Sequence, residues 1–128
     1  MVKALIDKGV AKVYAATRST AAVANLVQQY AGRVVALRLD ITDTSSVAAA
    51  AEQCRDLDLL INNSGVNNCM WLLGPTGMEI ARGDMEVNFF GTLAMWRAFA
   101  PLLATRGGGA IVNVLHHRPG QPAAQRHI

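Results

Sequence analysis

The sequence has few of the features that mark disulfide-rich, membrane-spanning or metal-binding proteins. Only two of its 128 residues are cysteines, Cys54 and Cys69, and they do not form a Cys-x-x-Cys pair. Disulfide, redox or cysteine-based metal chemistry therefore has little support, and both side chains are predicted to be small buried hydrophobes. No apolar run reaches the roughly 18 residues that a membrane-spanning helix needs. We expect no membrane partner.

Charge is also sparse and unclustered. Charged residues make up 16% of the chain, and its twelve Lys and Arg are spread over the whole length without a block of like charge. A nucleic-acid-binding protein would concentrate them on one element, so this class is only a distant alternative. The first eight residues carry charges within their apolar run and show no small-residue cleavage site, which is not typical of a signal peptide. The cytoplasm is the expected location.

What the sequence does contain is an alternation of strand-like and helix-like segments. At 52% hydrophobic, the chain predicts one folded domain with a buried core. Strands are predicted at about 12–16, 33–39, 57–61 and 110–114. A first helix is predicted after Ser19-Thr20, which should cap it, and it should end at Gly32. A second helix is predicted after Thr42-Asp43 and should run to about Cys54. This order indicates an α/β fold with a parallel sheet covered by helices.

A third, longer helix is predicted after the Asn- and Gly-rich segment 62–77. Pro101 should kink this helix or end its regular part. Gly107-Gly108-Gly109 should then turn the chain into the last strand rather than cradle a phosphate. Apolar residues at helical spacing predict the core-facing side, namely Met85, Phe89, Leu93, Trp96, Ala100 and Leu103.

Three ordered motifs carry a family resemblance. Leu60-Ile61-Asn62-Asn63-Ser64-Gly65 resembles the Asn-Asn-Ala-Gly motif after the fourth strand of short-chain dehydrogenases/reductases. Met85 to Gly91 resembles that family's helix segment with the active-site Asn, and Gly107 to Val114 its Gly-x-Ile-Val-Asn-Val strand. The resemblance implies a partial doubly wound, Rossmann-like sheet in the family order 3-2-1-4-5. This chain would supply strands 2 to 5, with the first strand missing.

The resemblance also implies site residues. Asp40 matches the family Asp that accepts a hydrogen bond from the adenine amino group, and Ile41 follows it. Arg18, after the first predicted strand, favours the 2′-phosphate of NADP over NAD. The implied cofactor-binding residues are Arg18, Asp40, Ile41, Asn62, Ser64 and Gly65, and the implied catalytic residue is Asn88. The implied reaction is hydride transfer between NADP(H) and a small-molecule carbonyl or alcohol.

Each of these residues has a simpler interpretation. Asn62 could only bridge neighbouring strands, Asp40 could only precede a helix as a cap, and Arg18 could be a solvated charge at a strand end. Asn88 would need a polar partner whether or not it serves catalysis. Trp71 and Trp96 are better explained by packing than by a cofactor platform.

Departures from the family pattern lead to further expectations. No glycine precedes Gly9, so the phosphate-binding glycine loop is not found, and Met1 should already lie in the first helix. No Ser follows Ser64 and no Tyr follows Tyr30, which leaves the family's Ser and Tyr-x-x-x-Lys unmatched. We therefore expect a partial domain over 1–115, truncated and inactive by itself, and an irregular tail over 116–128 from a frame or splice change.

Two questions stay open. The alternative to an oxidoreductase is a non-catalytic remnant or interaction module that pairs with a full-length relative, and a homo-oligomer is a further candidate assembly. The tail histidines, His116, His117 and His127, have no carboxylate nearby to complete a metal site, so no metal is predicted.

Overall fold

The computed structural model describes residues 1–68 and 73–115, and within them strands alternate with helices. The strands are β1 (Val13–Thr17), β2 (Val34–Arg38), β3 (Leu59–Asn62) and β4 (Ala110–Asn113). The α-helices are α1 (Val2–Asp7), α2 (Ala24–Gln29), α3 (Thr44–Gln53), α4 (Gly77–Met85) and α5 (Thr92–Thr105). A 3₁₀ turn (Thr20–Val23) precedes α2, and a π-helix (Glu86–Gly91) joins α4 to α5.

Most predicted element boundaries are confirmed, with one exception at a cap. Asp43 caps α3 by accepting a hydrogen bond of 2.9 Å from the Ser45 amide, and Gly32, at φ +81°, follows the end of α2. The predicted side-chain cap of the first helix at Ser19-Thr20 is wrong. The helix there begins as a 3₁₀ turn, and Ser19 makes no side-chain capping bond.

The four strands form two parallel pairs. β1 pairs with β2, Val13 opposite Val34, and β3 pairs with β4, Leu59 opposite Ala110. No Cα atom of β1 lies within 8 Å of one in β3, although neighbouring strands in a sheet are only about 4.8 Å apart. The fold is therefore a partial Rossmann-like α/β domain, as predicted, with β1 and β3 as separate inner edges.

One buried cluster connects the two pairs. Leu37 of β2 and Leu39, just after β2, pack with Leu60 of β3 and with Phe99 of α5. The Phe99 side chain is only 2% exposed. Cys54, predicted to be a buried hydrophobe, lies in this cluster. A second cluster, on the α1 and α2 side of β1 and β2, consists of Ile6, Ala15 and Val34. The larger core therefore holds α3 and α5 against both strand pairs.

The predicted core face of the long helix is wrong. Met85, Phe89, Leu93, Trp96 and Ala100 are exposed, and only Leu103 of that set is buried. The buried residues are Gly91, Met95, Phe99 and Leu103. α5 carries apolar side chains of its own on most sides, so the periodicity of the sequence could not identify its buried face. The π-helix also adds a residue, which shifts the helical register between α4 and α5. The helix also continues through Pro101 to Thr105.

A polar cluster links β1 to the connection between α3 and β3. Tyr14 Oη lies 2.7 Å from Asp56 Oδ1 and 3.2 Å from the Gln53 carbonyl oxygen. Lys12 Nζ lies 2.9 Å from Asp56 Oδ2 and 4.4 Å from the centre of the Tyr14 ring. This tie joins the two strand pairs near the amino end of β1.

Within the part of the chain that the structure describes, no helix has the length and apolar character needed to cross a membrane.

Candidate functional site

Two of the predicted cofactor residues meet at the carboxyl ends of β1 and β2. Arg18 follows the last residue of β1, and Asp40 follows β2 by two residues. The Leu39 amide donates to the Thr17 carbonyl over 2.9 Å, which keeps the two strand ends side by side. In parallel sheets, ligands bind outside such carboxyl ends.

The Asp40 carboxylate organises its own loop. Its Oδ1 accepts hydrogen bonds from the amide and the hydroxyl of Thr42, at 3.0 and 2.7 Å. These bonds, followed by the charge of Arg18, hold the pKa of Asp40 below its ordinary value. The Asp40 amide also donates to Ser46 Oγ at the start of α3. Asp40 is therefore ionised and organises its own loop, but it is not the helix cap of its simpler interpretation, because Asp43 caps α3. Among the described residues, Oδ2 of Asp40 accepts no hydrogen bond.

Asn88 is bound to the loop that follows β3. Its Oδ1 accepts from the Val66 amide at 2.9 Å, and its Nδ2 donates to the Val66 carbonyl at 2.7 Å. A Cβ placed on Gly65 would lie 3.4 Å from Asn88 Oδ1, so Gly65 and Asn88 are neighbours. The side-chain amide thus pairs with the backbone as a strand would, and it fixes the loop after β3.

A second pair of bonds holds the same loop. Asp84 accepts from the Asn68 amide at 3.0 Å and from Asn68 Nδ2 at 2.7 Å. Both anchors come from the continuous helical segment of α4 and the π-helix. Asp84 was not predictable from the sequence, because a lone acidic residue on a helix gives no signal of what it will bind.

Asn62 connects β3 to β4. Its Nδ2 donates to Asn113 Oδ1 over 2.9 Å, and the same oxygen accepts from Trp96 Nε1 at 3.2 Å. The structure therefore places Asn62 in the strand-bridging role considered as its simpler interpretation. The sequence predicts only a strand position for Asn113 and a packing role for Trp96, so it does not indicate these polar contacts.

The π-helix connects the two loops. Asn88 and Gly91 both lie within it, Asn88 exposed and Gly91 buried. Asn88 binds the loop after β3, while Gly91 lies directly against Ile41 in the loop after β2. Among the predicted residues, Arg18 lies near Asp40, and Gly65 lies next to Asn88. The contact between Gly91 and Ile41 connects these two pairs. Ser64 is exposed and makes no hydrogen bond among the described residues.

Several predicted features cannot be located. Trp71, Cys69 and the three histidines lie outside the described residues. In residues 1–68 and 73–115, no cluster of three His, Cys, Asp or Glu side chains could hold a metal ion.

Parallel strands, flanking helices and polar groups at the strand carboxyl ends define the class of nucleotide-binding α/β domains. A family model described as short chain dehydrogenase matches residues 1–125. The chain belongs to the short-chain dehydrogenase/reductase family of oxidoreductases, which confirms the resemblance seen in the three motifs.

Solved structures and curated proteins give the same result. The chain is similar to a short chain dehydrogenase from Burkholderia cenocepacia solved in complex with NADP, with 45% identity, a TM-score of 0.80, and coverage of 89% of this chain and 46% of that one. A short-chain dehydrogenase structure from Streptomyces avermitilis has 28% identity and a TM-score of 0.73, covering 88% and 43%. Human 17-beta-hydroxysteroid dehydrogenase type 1 is 36% identical over 63% of this chain.

Coverage of these relatives is partial. The match to the human enzyme spans 25% of its length, and the match to ketoacyl reductase HetN of Nostoc, at 29% identity over 85% of this chain, spans 40%. The chain thus spans less than half of the length of each of these four relatives.

Proposed function

We propose that this chain forms the adenosine-binding and central part of an oxidoreductase that transfers hydride between NADP(H) and a small carbonyl or alcohol. The observation that carries the proposal is the placement of Arg18 and Asp40 at adjacent strand ends, beside the loop held by Asn88. The similarity to a short chain dehydrogenase complexed with NADP supports it.

The residues at the ends of β1 and β2 fit the adenosine half of such a cofactor. Oδ2 of Asp40 is available to accept a hydrogen bond from an adenine amino group. The Arg18 guanidinium suits a 2′-phosphate, because it offers several fixed donors and a permanent charge. In this proposal the Ile41 side chain, next to Asp40, supplies an apolar contact for the adenosine half of the cofactor. When bound, NADP(H) would supply the hydride.

The residues after β3 would shape the other half of the cleft. Gly65 allows close approach of backbone to a ligand, and Asn88 would act by holding Val66 and its neighbours in place. In this proposal Asn62 fixes the end of β3 against β4, and Ser64 is an exposed residue next to Gly65 in the sequence.

Turnover needs a proton donor as well as hydride. The family resemblance implies a Ser and a Tyr-x-x-x-Lys pair for this step, and residues 1–128 contain no Ser after Ser64 and no Tyr after Tyr30. We therefore propose that this chain by itself does not turn over. Chain-dependent oxidation of NADPH in the presence of assorted aldehydes and ketones, followed by absorbance, would show this part of the proposal to be wrong.

The cofactor preference is tested by titrating the chain with NADPH and NADH. Replacing Arg18 by Ala should weaken NADPH binding about tenfold and change NADH binding much less, because only NADPH carries the 2′-phosphate. Arg55→Ala is the matched control, since among the described residues the Arg55 side chain forms only a surface ion pair with Glu52. Equal losses for both cofactors, or no binding of NADPH to the unaltered chain, would contradict the proposal.

A second candidate function is that of an interaction module, and the separation of the strand pairs favours it. β1 and β3 each have one edge without a partner strand among the described residues, and their Cα atoms are more than 8 Å apart. One inserted strand would place its two neighbours about 9.6 Å apart. We propose that an extended apolar segment, running parallel to both strands, occupies this position, either from a full-length relative or as a free peptide.

Hydrogen exchange tests the second candidate. An apolar peptide of about six residues should slow exchange at the inner amides of β1 and β3. The same peptide with proline at alternate positions should not, because proline lacks the N–H that both ladders need. Identical exchange with the two peptides would remove this candidate.

Self-association is the remaining partner proposal. Exposed apolar side chains are frequent on α4, the π-helix and α5, namely Met78, Met85, Phe89, Phe90, Leu93 and Trp96. Apolar patches of this kind mark interaction surfaces, so we propose a homo-oligomer, to be measured by sedimentation velocity over a concentration series. A sedimentation coefficient independent of concentration and equal to that of a monomer would count against it. The cytoplasm stays the proposed location.

A further inference from the structure

The π-helix lies close against the loop after β2 at Gly91. A Cβ built on Gly91 would lie 2.8 Å from both Cγ1 and Cδ1 of Ile41, and 3.2 Å from the Glu86 carbonyl oxygen. Both 2.8 Å distances are well below the normal contact distance between two carbon atoms. Gly91 itself is buried, so the π-helix meets the loop after β2 only because this position has no side chain.

The clash could not be relieved at the tip of the Ile41 side chain alone. Rotation about the outer bond would move Cδ1, but Cγ1 is attached directly to Cβ and moves only with χ1, which is restricted in β-branched residues. The backbone around Ile41 is also held. The Asp40 amide donates to Ser46 Oγ, the Thr42 amide donates to Asp40 Oδ1, and the Asp43 amide donates to the Asp40 carbonyl.

A side chain at position 91 would therefore displace one of two units. Either the loop carrying Asp40 and Ile41 moves away, or the π-helix moves and takes Asn88 with it. Asn88 holds Val66 through both atoms of its amide, so the second movement reaches the loop after β3. In both cases the spacing between the two loops changes.

From this geometry we propose that Gly91 is a positioning residue that sets the distance between the loop after β2 and the loop after β3. This inference rests on the proposed function in so far as the two loops bind the two halves of NADP(H). Gly91 touches no cofactor atom in this scheme. It acts through Ile41 on one side and through the Asn88–Val66 pairing on the other.

The test is a double-mutant cycle in the full chain, with Gly91→Ala, Ile41→Ala and the double variant. Gly91→Ala should weaken NADPH binding about tenfold when Ile41 is present. In the Ile41→Ala background the same change should have a much smaller effect, because the two Ile41 atoms at 2.8 Å are gone and only the 3.2 Å contact with the Glu86 carbonyl oxygen stays. Gly83→Ala is the matched control, since a Cβ there meets nothing within 4 Å and should leave NADPH binding unchanged.

A cofactor-independent readout separates this inference from the proposed function. Amide resonances of Asp40, Thr42 and Val66 should shift in Gly91→Ala and return toward their original positions in the double variant. If the unaltered chain does not bind NADPH, the proposed function fails while these shifts still decide the role of Gly91. Shifts confined to the π-helix, or equal effects of Gly91→Ala in both backgrounds, would overturn the inference. If Gly91→Ala does not fold, recovery of folding in the double variant supports it, and failure of both overturns it.

Discussion

At the scale of single residues, Asn88 shows how one amide can stabilise a loop. Both ends of its side chain bond to the Val66 backbone, so truncation should loosen the loop around Val66, while Asp84 still binds Asn68. We predict that Asn88→Ala lowers the free energy of unfolding by about 1 kcal/mol, measured by urea denaturation. Asn63→Ala, in the same loop and without a hydrogen bond among the described residues, should change it by less than about 0.5 kcal/mol. Equal effects would mean that the pairing contributes nothing.

Cys54 links stability to alkaline pH. Burial in the main core raises the pKa of its thiol from 9.0 to about 11, and the neighbouring Asp56 charge acts in the same direction. Because the folded pKa lies above the unfolded one, the thiol's contribution is fully present below pH 9 and is lost as the pH rises toward 11. Stability should therefore fall by about 2 kcal/mol more across this range than in Cys54→Ala.

The comparison with Cys54→Ala isolates this one group. The alanine variant leaves a cavity that lowers stability at every pH, so only the slope of the free energy of unfolding against pH is diagnostic. Tyr14 also has a raised pKa, but it titrates in both proteins and cancels. Parallel curves for the two proteins between pH 8 and pH 11 would show that the thiol is not protected by the fold.

At the scale of elements, the tie between β1 and the α3–β3 connection has a measurable contribution. Tyr14→Phe removes the hydroxyl that contacts Lys12, Asp56 and the Gln53 carbonyl, while keeping the ring. We expect a loss of about 1 kcal/mol in the free energy of unfolding. Tyr30→Phe is the control, because Tyr30 packs on the smaller cluster through its ring and its hydroxyl makes no hydrogen bond among the described residues.

The tie should also respond to acid. Hydrogen bonds from Tyr14, and then from Lys12, hold the pKa of Asp56 below its ordinary value. A lowered folded pKa means that the stabilisation is present above the unfolded value and is lost as the pH falls through the folded one. The difference in stability between the unaltered chain and Asp56→Asn should therefore shrink on acidification below pH 4. A constant difference would contradict the assignment.

How far sequence predicts structure differs between the elements. The strands and α3 could be predicted because each carries a local signal. The mostly apolar run that ends at Arg38 indicates β2, and Asp43 marks the start of α3 as its cap. The buried face of α5 was not, since Met95 and Trp96 are equally apolar and only packing distinguishes them. Of the candidate site, the positions of Asp40 and Asn88 follow from motif resemblance, whereas the Gly91–Ile41 contact depends on a π-helix that no local pattern indicates.

At the scale of the whole molecule, the chain has one shared core but an interrupted sheet. The inner edges of β1 and β3 present backbone groups that pair with no strand among residues 1–68 and 73–115. Leu59 and Val112 are also exposed, at 38% and 44%, on the same face of the second strand pair. Edges and faces of this kind are normally covered in parallel sheets, whose strands are buried on both sides.

These uncovered groups determine the expected thermal behaviour. Unpaired edges reduce the free energy that couples the two strand pairs, which leaves the main core and the Tyr14 tie to hold them together. We predict that the 128-residue chain in isolation unfolds over a broad range, with a calorimetric enthalpy that exceeds the van't Hoff value. A parallel apolar peptide that fills the space between β1 and β3 should sharpen the transition, whereas its proline-interrupted control should not. A single sharp transition without peptide, with equal enthalpies, would mean that the shared core alone makes the two strand pairs one cooperative unit.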